Sequence, residues 1–535
     1  MVRAVPEACW GSVEEDGMAI SERDRLVLPL LLAIMLLVMP GTAMAAPGEF
    51  DLERGAWQST RVDPAQEGDA LSERLDRIFR SSRLAGAQIG VTVRDAETGE
   101  VLYARGDEAR LVPGSTQKLL VAAAALETLG PDYRFQTTVL TDGEQRGEIL
   151  AGDLYLKGTG DPTMLPRRYE ELAAVLAGHG IRSVEGKLIA DDTWFDDERL
   201  HPDWSWTDVS SSNAVEISAL TVAPGQDLDI GTVIVEVRPG AEPGAPVDVA
   251  LVPQTDYVTV ENRAITTPGG TEESIAVERR RGTNVIVVSG RLPQDSDGTA
   301  EWVAVREPTG YAAAIFRDAL ARQGIAVQGE TSFGTTPAGA RVLAQLESPR
   351  LADIVIPFLK LGNNGIAEIL VKTMGRERRG EGSWEAGLEI VEQYLASVGV
   401  NVATLRLRDG SGVSRLNLQT AGELTWLLFA VQREDWFPAF YEALPVAGPP
   451  DRMEGGTLST RLRFTAAQGN LRAMSGTAPG VSTLSGYVTS EGGQRLVFTL
   501  LINNYMGEPP KSVEDAVAVA LAEFRPSPGT RSRHR

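Results

Sequence analysis

The chain has 535 residues, 43% of them hydrophobic and 23% charged, which is the composition of a globular protein with room for roughly two to four domains. Its 73 acidic residues outweigh 51 basic ones, and a body with a formal charge of −22 is repelled by nucleic acid and by an anionic membrane surface. One cysteine, Cys9, excludes a disulfide framework, and with only His179, His201 and His534 present a histidine-activated nucleophile has little material; no cofactor and no metal ion are expected.

In chain order, Arg23 and Arg25 precede an apolar run from Leu26 to Met39, followed by Pro40-Gly41-Thr42 and Ala43-Met44-Ala45. This is the layout of a secretory signal over residues 1–45, cleaved before Ala46. The run is shorter than the ~20 residues of a membrane-spanning helix. Glu14-Glu15-Asp16 spoils the basic region and points to Met18 as the true start, which discards Cys9. The mature protein is therefore expected to be exported, to a cell-wall or periplasmic-type space or the medium, with membrane contact only through an uncleaved signal.

Residues 46–69 read as a loose polar segment. Leu71, Leu75, Ile78 and Phe79 recur at helical spacing, and 88–94 with 101–105 read as a hairpin around Glu97-Thr98-Gly99-Glu100. Short strands fill 134–156, with a helix over 167–176 and a strand over 183–190. From 225 to 306 the chain alternates like strands, without a convincing helix, and reads as an all-β insertion. Helices return at 311–323, 367–374, 385–398, 421–431 and 513–524, and a strand at 496–503. The Pro-, Gly- and Arg-rich tail 525–535 reads as disordered.

Ser115-Thr116-Gln117-Lys118 opens an Ala-rich apolar segment that Gly130-Pro131 ends, and no other serine in the chain has a lysine three residues on. On a helix, positions i and i+3 share a face, so Lys118 can take the proton of the Ser115 hydroxyl. A helix N-terminus there favours an anion beside Ser115 and lowers the lysine's pKa. Two short patterns mislead: Ser211-Ser212-Asn213 lies in the inserted region, and Lys372-Thr373-Met374-Gly375 ends a helical run.

Four longer segments, Leu111 to Lys118, Gly152 to Thr163, Asp409 to Arg415 and Val481 to Val488, together resemble the class C low-molecular-mass penicillin-binding proteins, the D-alanyl-D-alanine carboxypeptidase/endopeptidases. The resemblance implies an α/β fold: a transpeptidase domain related to β-lactamases, an antiparallel sheet with helices, split by two inserted, mainly β domains. The transpeptidase-like domain is then 70–138 plus 342–524, inserted domain II 139–224 plus 307–341, and inserted all-β domain III 225–306. Insertions of this size do not fit a β-lactamase.

The resemblance further makes Ser115 the acylated nucleophile and Lys118 its base. Asn364 belongs to the second motif, whose family serine is here Gly362. Ser475, Gly476 and Thr477 belong to the third, whose family lysine is here Met474. Asp161 and Arg415 match positions lining a pocket for the peptide's free amino acid end. The implied partners are peptidoglycan stem peptides, with β-lactams as acylating inhibitors. The implied activity is a serine-type D-Ala-D-Ala carboxypeptidase/endopeptidase acting through an acyl-Ser115 intermediate. The alternative is a catalytically impaired homologue that binds peptidoglycan peptides or partner proteins. Glycine relays no proton, and general acid help is typically worth 10² to 10⁴ in rate; methionine lends no charge to a substrate carboxylate. Arg472, two residues before Met474 on the same strand face, is the cation that the sequence offers instead.

Overall fold

A computed structural model describes residues 71–525. The expected export signal, the loose segment up to residue 69 and the tail beyond Arg525 lie outside them. No helix among the described residues is long and apolar enough to cross a membrane.

The central sheet has five antiparallel strands in the order 101–105, 88–95, 495–503, 481–489, 472–478, so both ends of the chain contribute to one sheet and the last of these strands is an edge. Alternation along each strand feeds two cores. Ala473, Leu484 and Phe498 point to the side covered by the helices Leu71–Phe79 and Lys511–Ala522. Met474, Tyr487 and Val497 point to the other side, where the helix Lys118–Thr128 lies among Leu351–Leu361, Asn364–Arg379 and Trp384–Ser397. Every residue from Leu119 to Leu126 is buried, as a helix apolar on all sides requires.

The interruption folds on its own core. A mixed five-stranded sheet has the order 331–333, 188–191, 154–158, 136–141, 341–347, and a four-stranded one the order 326–327, 183–184, 149–151, 144–146; the helices Pro166–Gly178 and Pro308–Arg322 belong with them. The strands 136–141 and 341–347 pair along their length, with a bulge at Leu343, so this sheet takes in residues on both sides of the expected crossings at 138 and 342. Between 232 and 304 the described chain is strands only, in sheets of three, three and two. The helix Leu351–Leu361, absent from the sequence reading, carries a proline at 357 and ends at Gly362.

Candidate active site

Ser115 does not sit on the α-helix itself. Pro113 leads into a 3₁₀ turn, Gly114–Gln117, and the α-helix begins at Lys118. In 3₁₀ geometry residues i and i+3 eclipse, which stacks Lys118 over Ser115 more directly than an α-turn would. The Lys118 Nζ lies 3.0 Å from Ser115 Oγ and donates to the Ser411 carbonyl at 2.7 Å. Thr116 Oγ1 and Thr483 Oγ1 both donate to the Pro113 carbonyl, at 2.7 and 2.9 Å, which fastens the turn to the sheet.

Lys118 is fully buried. Burial pushes its ammonium down to about 8, and the carboxylates of Glu368 and Asp409 pull the other way. Glu368 is also buried; it accepts N–H bonds from Gly410 at 2.9 Å, Ser411 at 2.7 Å and the Trp384 indole at 2.8 Å. Burial and nearby Asp409 hold its carboxyl above the usual range. The Asp409-Gly410-Ser411-Gly412 segment thus carries a carbonyl to the lysine and is itself held by Glu368.

The edge strand Arg472–Ala478 runs across the nucleophile turn. A Cβ on Gly476 would stand 2.7 Å from Ser115 N and 2.4 Å from Thr483 Oγ1, so only glycine permits this approach. The Ala473 N–H leaves the sheet to bond the Pro445 carbonyl at 2.9 Å. The N–H groups of Ser475 and Thr477, two and four residues on, therefore also face away from the neighbouring strand.

Ser115 opens into two cavities. One, of about 510 Å³, is bordered by Ser115, Asp203, Asp208, Asn213, Asn364 and Arg415. The other, of about 310 Å³, is bordered by Ser115, Gly362, Met474, Thr477, Arg461 and Lys511. Gly362 ends the preceding helix in the left-handed conformation, with φ +70°. Asn363 caps the next helix, its Oδ1 accepting from the Ile366 N–H at 3.0 Å, and Asn364 Nδ2 donates to the Asn213 carbonyl at 2.9 Å. Asn364 is thereby held at the larger cavity.

Of the residues named from sequence, Ser115, Lys118, Asn364, Ser475, Gly476, Thr477 and Arg415 come together here. Asp161 does not: it is buried at 1% exposure, its Oδ1 accepts from the Thr163 N–H and hydroxyl at 2.8 and 2.6 Å, and it borders neither cavity. An aspartate two residues before a threonine closes its own turn, and that local demand takes the carboxylate inward. The acids that share a cavity with Arg415 are Asp203, which accepts from Arg408 at 2.6 Å, and Asp208. Arg472 lies over the Tyr441 ring, 5.0 Å from its centre, and borders neither cavity. Lys372 is buried in a helix, bonded to Asp196 and the Glu198 carbonyl. The discounted Ser211-Ser212-Asn213 does reach the site, through Asn213. Four residues here were not named from sequence: Glu368, which closes the second-motif segment 361–368, and Asp208, Arg461 and Lys511, which lie outside the segments that the resemblance marks.

Residues 71–524 match the family described as D-Ala-D-Ala carboxypeptidase 3 (S13). The chain is 44% identical over 459 residues to a D-alanyl-D-alanine carboxypeptidase of Actinomadura sp. (strain R39), covering 85% of each. It is 25% identical over 431 residues to the D-alanyl-D-alanine carboxypeptidase DacB of Haemophilus influenzae, covering 78% of this chain and 86% of the relative. The crystal structure of penicillin binding protein 4 from Haemophilus influenzae superposes with a TM-score of 0.73 at 24% identity, over 84% of this chain and 98% of the other.

Proposed function

The chain belongs to the D-Ala-D-Ala carboxypeptidase 3 (S13) family, and on that footing we propose that it is a serine-type D-Ala-D-Ala carboxypeptidase acting on peptidoglycan stem peptides outside the cytoplasm. The observation that carries this reading is the 3.0 Å contact between Ser115 Oγ and a buried Lys118 whose ammonium is pushed down to about 8. Near neutral pH a useful fraction of that lysine is uncharged and takes the serine proton.

Ser115 Oγ attacks the carbonyl carbon of the penultimate D-alanine while its proton passes to Lys118 Nζ. The oxyanion that forms is met by backbone N–H groups of Ser115 and Thr477, the second being free of the sheet ladder. The C–N bond then breaks, the leaving amine takes the proton that Lys118 Nζ received, and free D-alanine departs; water hydrolyses the acyl-Ser115 ester and restores the serine. Asp208 and Arg415, across the larger cavity, suit a zwitterionic amino acid end on the peptide, one charge for each group, and Arg415 gives bidentate carboxylate binding. Penicillins acylate the same serine in this reading, which accords with a related Haemophilus influenzae structure described as complexed with a novel β-lactam.

A second reading is a homologue that acylates and turns over slowly, or binds without turnover. The pair Gly362 and Met474 favours it, because no hydroxyl at 362 relays a proton to the leaving amine and no ammonium stands at 474. Release of D-alanine from a stem pentapeptide, compared between the wild type and Ser115→Ala, separates the two. Release that depends on Ser115 supports the carboxypeptidase; none from either protein leaves the second reading.

A further inference from the structure

The smaller cavity differs from the larger in charge. Its walls bring Arg461 and Lys511 next to Ser115, Ser475 and Thr477, and no acidic side chain borders it. At about 310 Å³ it stands at the lower end of ligand-sized pockets. The acids that hold the two cations lie behind the wall. Glu514, fully buried, meets Lys511 Nζ at 3.1 Å and Arg461 at 2.9 Å, and Asp515 meets Arg461 at 2.6 Å. Lys511 Nζ also donates to the Gly476 carbonyl at 3.2 Å, which ties it to the strand that lies over Ser115. The remaining wall is apolar where Leu361, Gly362 and Met474 meet it.

We infer that Lys511, with Arg461 beside it, binds the terminal carboxylate of the residue that leaves, taking the place of the ammonium that Met474 does not provide. The inference rests on the carboxypeptidase reading for which group is the leaving one. Ser115 stands at the junction of the two cavities, so a peptide across it puts its amino acid end among Asp208, Arg415 and Asn213 and its carboxylate among Arg461, Lys511 and Thr477. The zwitterionic end of the substrate thereby meets a wall that carries both signs, and the carboxylate end a wall whose charged groups are cations alone. Lys511 is a point charge whose Nζ contacts the Gly476 carbonyl at 3.2 Å and both Glu514 oxygens at 3.1 and 3.3 Å, so Glu514 fixes where it stands and a bound carboxylate shares the ammonium with it. A hydrogen bond to a charged group of this kind corresponds to about ten- to a hundredfold in affinity.

The test compares N-acetyl-D-Ala-D-Ala as free acid and as C-terminal amide, binding to the full-length protein, followed by ligand NMR so that millimolar affinities are readable. The wild type is expected to prefer the acid by about tenfold or more. Lys511→Met should bring the two forms within about twofold by weakening the acid alone, and Lys511→Arg should restore the preference. Equal binding of acid and amide by the wild type, or an undiminished preference in a folded Lys511→Met, overturns the inference; the wild-type comparison stands even if that variant does not fold. Parallel incubation with penicillin keeps the two ideas apart. Absence of acylation at Ser115 removes the hydrolytic reading, while the acid preference and its dependence on Lys511 stand or fall on binding alone.

Discussion

A Cβ placed on Gly362 would stand 3.5 Å from Met474 Cε, in ordinary van der Waals contact, so the two positions that the resemblance sets apart adjoin one another. Gly362 also takes φ +70°, where a serine is strained by about 1 kcal/mol, and Met474 is fully buried, where a lysine would need a hydrogen-bonding partner. Gly362→Ser and Met474→Lys should therefore each destabilise the protein alone. Together they should raise D-alanine release, by up to about 10², with a coupling of about 0.5–3 kcal/mol in stability between them. Thermal unfolding and turnover of both singles and the double check this. Additive effects with no gain in rate would contradict it.

Acylation should rise with pH through about 8, because the reactive Lys118 is the neutral one and its ammonium titrates there. Glu368 raises the lysine's pKa. Glu368→Gln removes that charge and, with its amide oxygen in the Oε2 position, keeps the acceptor for the Gly410 and Trp384 N–H groups while the Ser411 N–H loses its own, so the rising limb of the pH–rate profile should move to lower pH. Penicillin acylation rates from pH 5 to 10 measure the shift. A limb that moves upward would contradict the assignment of Lys118 as base.

Burial of Lys118 also sets a sign for stability. Its folded pKa of about 8 lies below the 10.5 of the unfolded chain, so between those values the unfolded state binds the extra proton and stability climbs as pH rises. Below about 8 the full cost is present, on the order of 3 kcal/mol. Subtracting the pH–stability curve of Lys118→Met from that of the wild type should leave a difference that rises from about pH 8 to 10.5. A flat difference, or one that falls, would contradict the burial argument.

Arg415→Ala and Asp208→Asn should raise KM for peptides ending in a free amino acid zwitterion and leave peptides without one nearly unchanged. Asp161→Asn should leave KM unaltered, since the residue serves the Thr163 turn. Steady-state kinetics on a matched peptide pair distinguishes them. A selective KM effect at Asp161 would reverse the assignment.

The sequence was most legible where chemistry is local. Ser115 and Lys118 are three residues apart, so spacing alone pairs them, and Gly476 has a local reason to be glycine, since a Cβ there would stand 2.7 Å from the nucleophile's amide nitrogen. Residues that meet only through the fold were not legible. Glu368 comes to the lysine through the backbone of Gly410 and Ser411, forty-odd positions away in the chain. Lys511 opens a helix whose amphipathic pattern explains its buried face without any reference to Ser115. Asp161 is the converse case: its motif is clear, and the turn it closes satisfies the carboxylate locally. The helix Leu351–Leu361 was missed because a proline inside it weakens the helical signal.

Central to this account is a serine that Lys118 makes nucleophilic, and labelled penicillin tests it most directly. After incubation at pH 8 and proteolysis, one label should be found by mass on the peptide bearing Ser115, and none in Ser115→Ala or Lys118→Met. An unmodified Ser115 peptide in the folded wild type, or a label carried on another residue, would contradict the account.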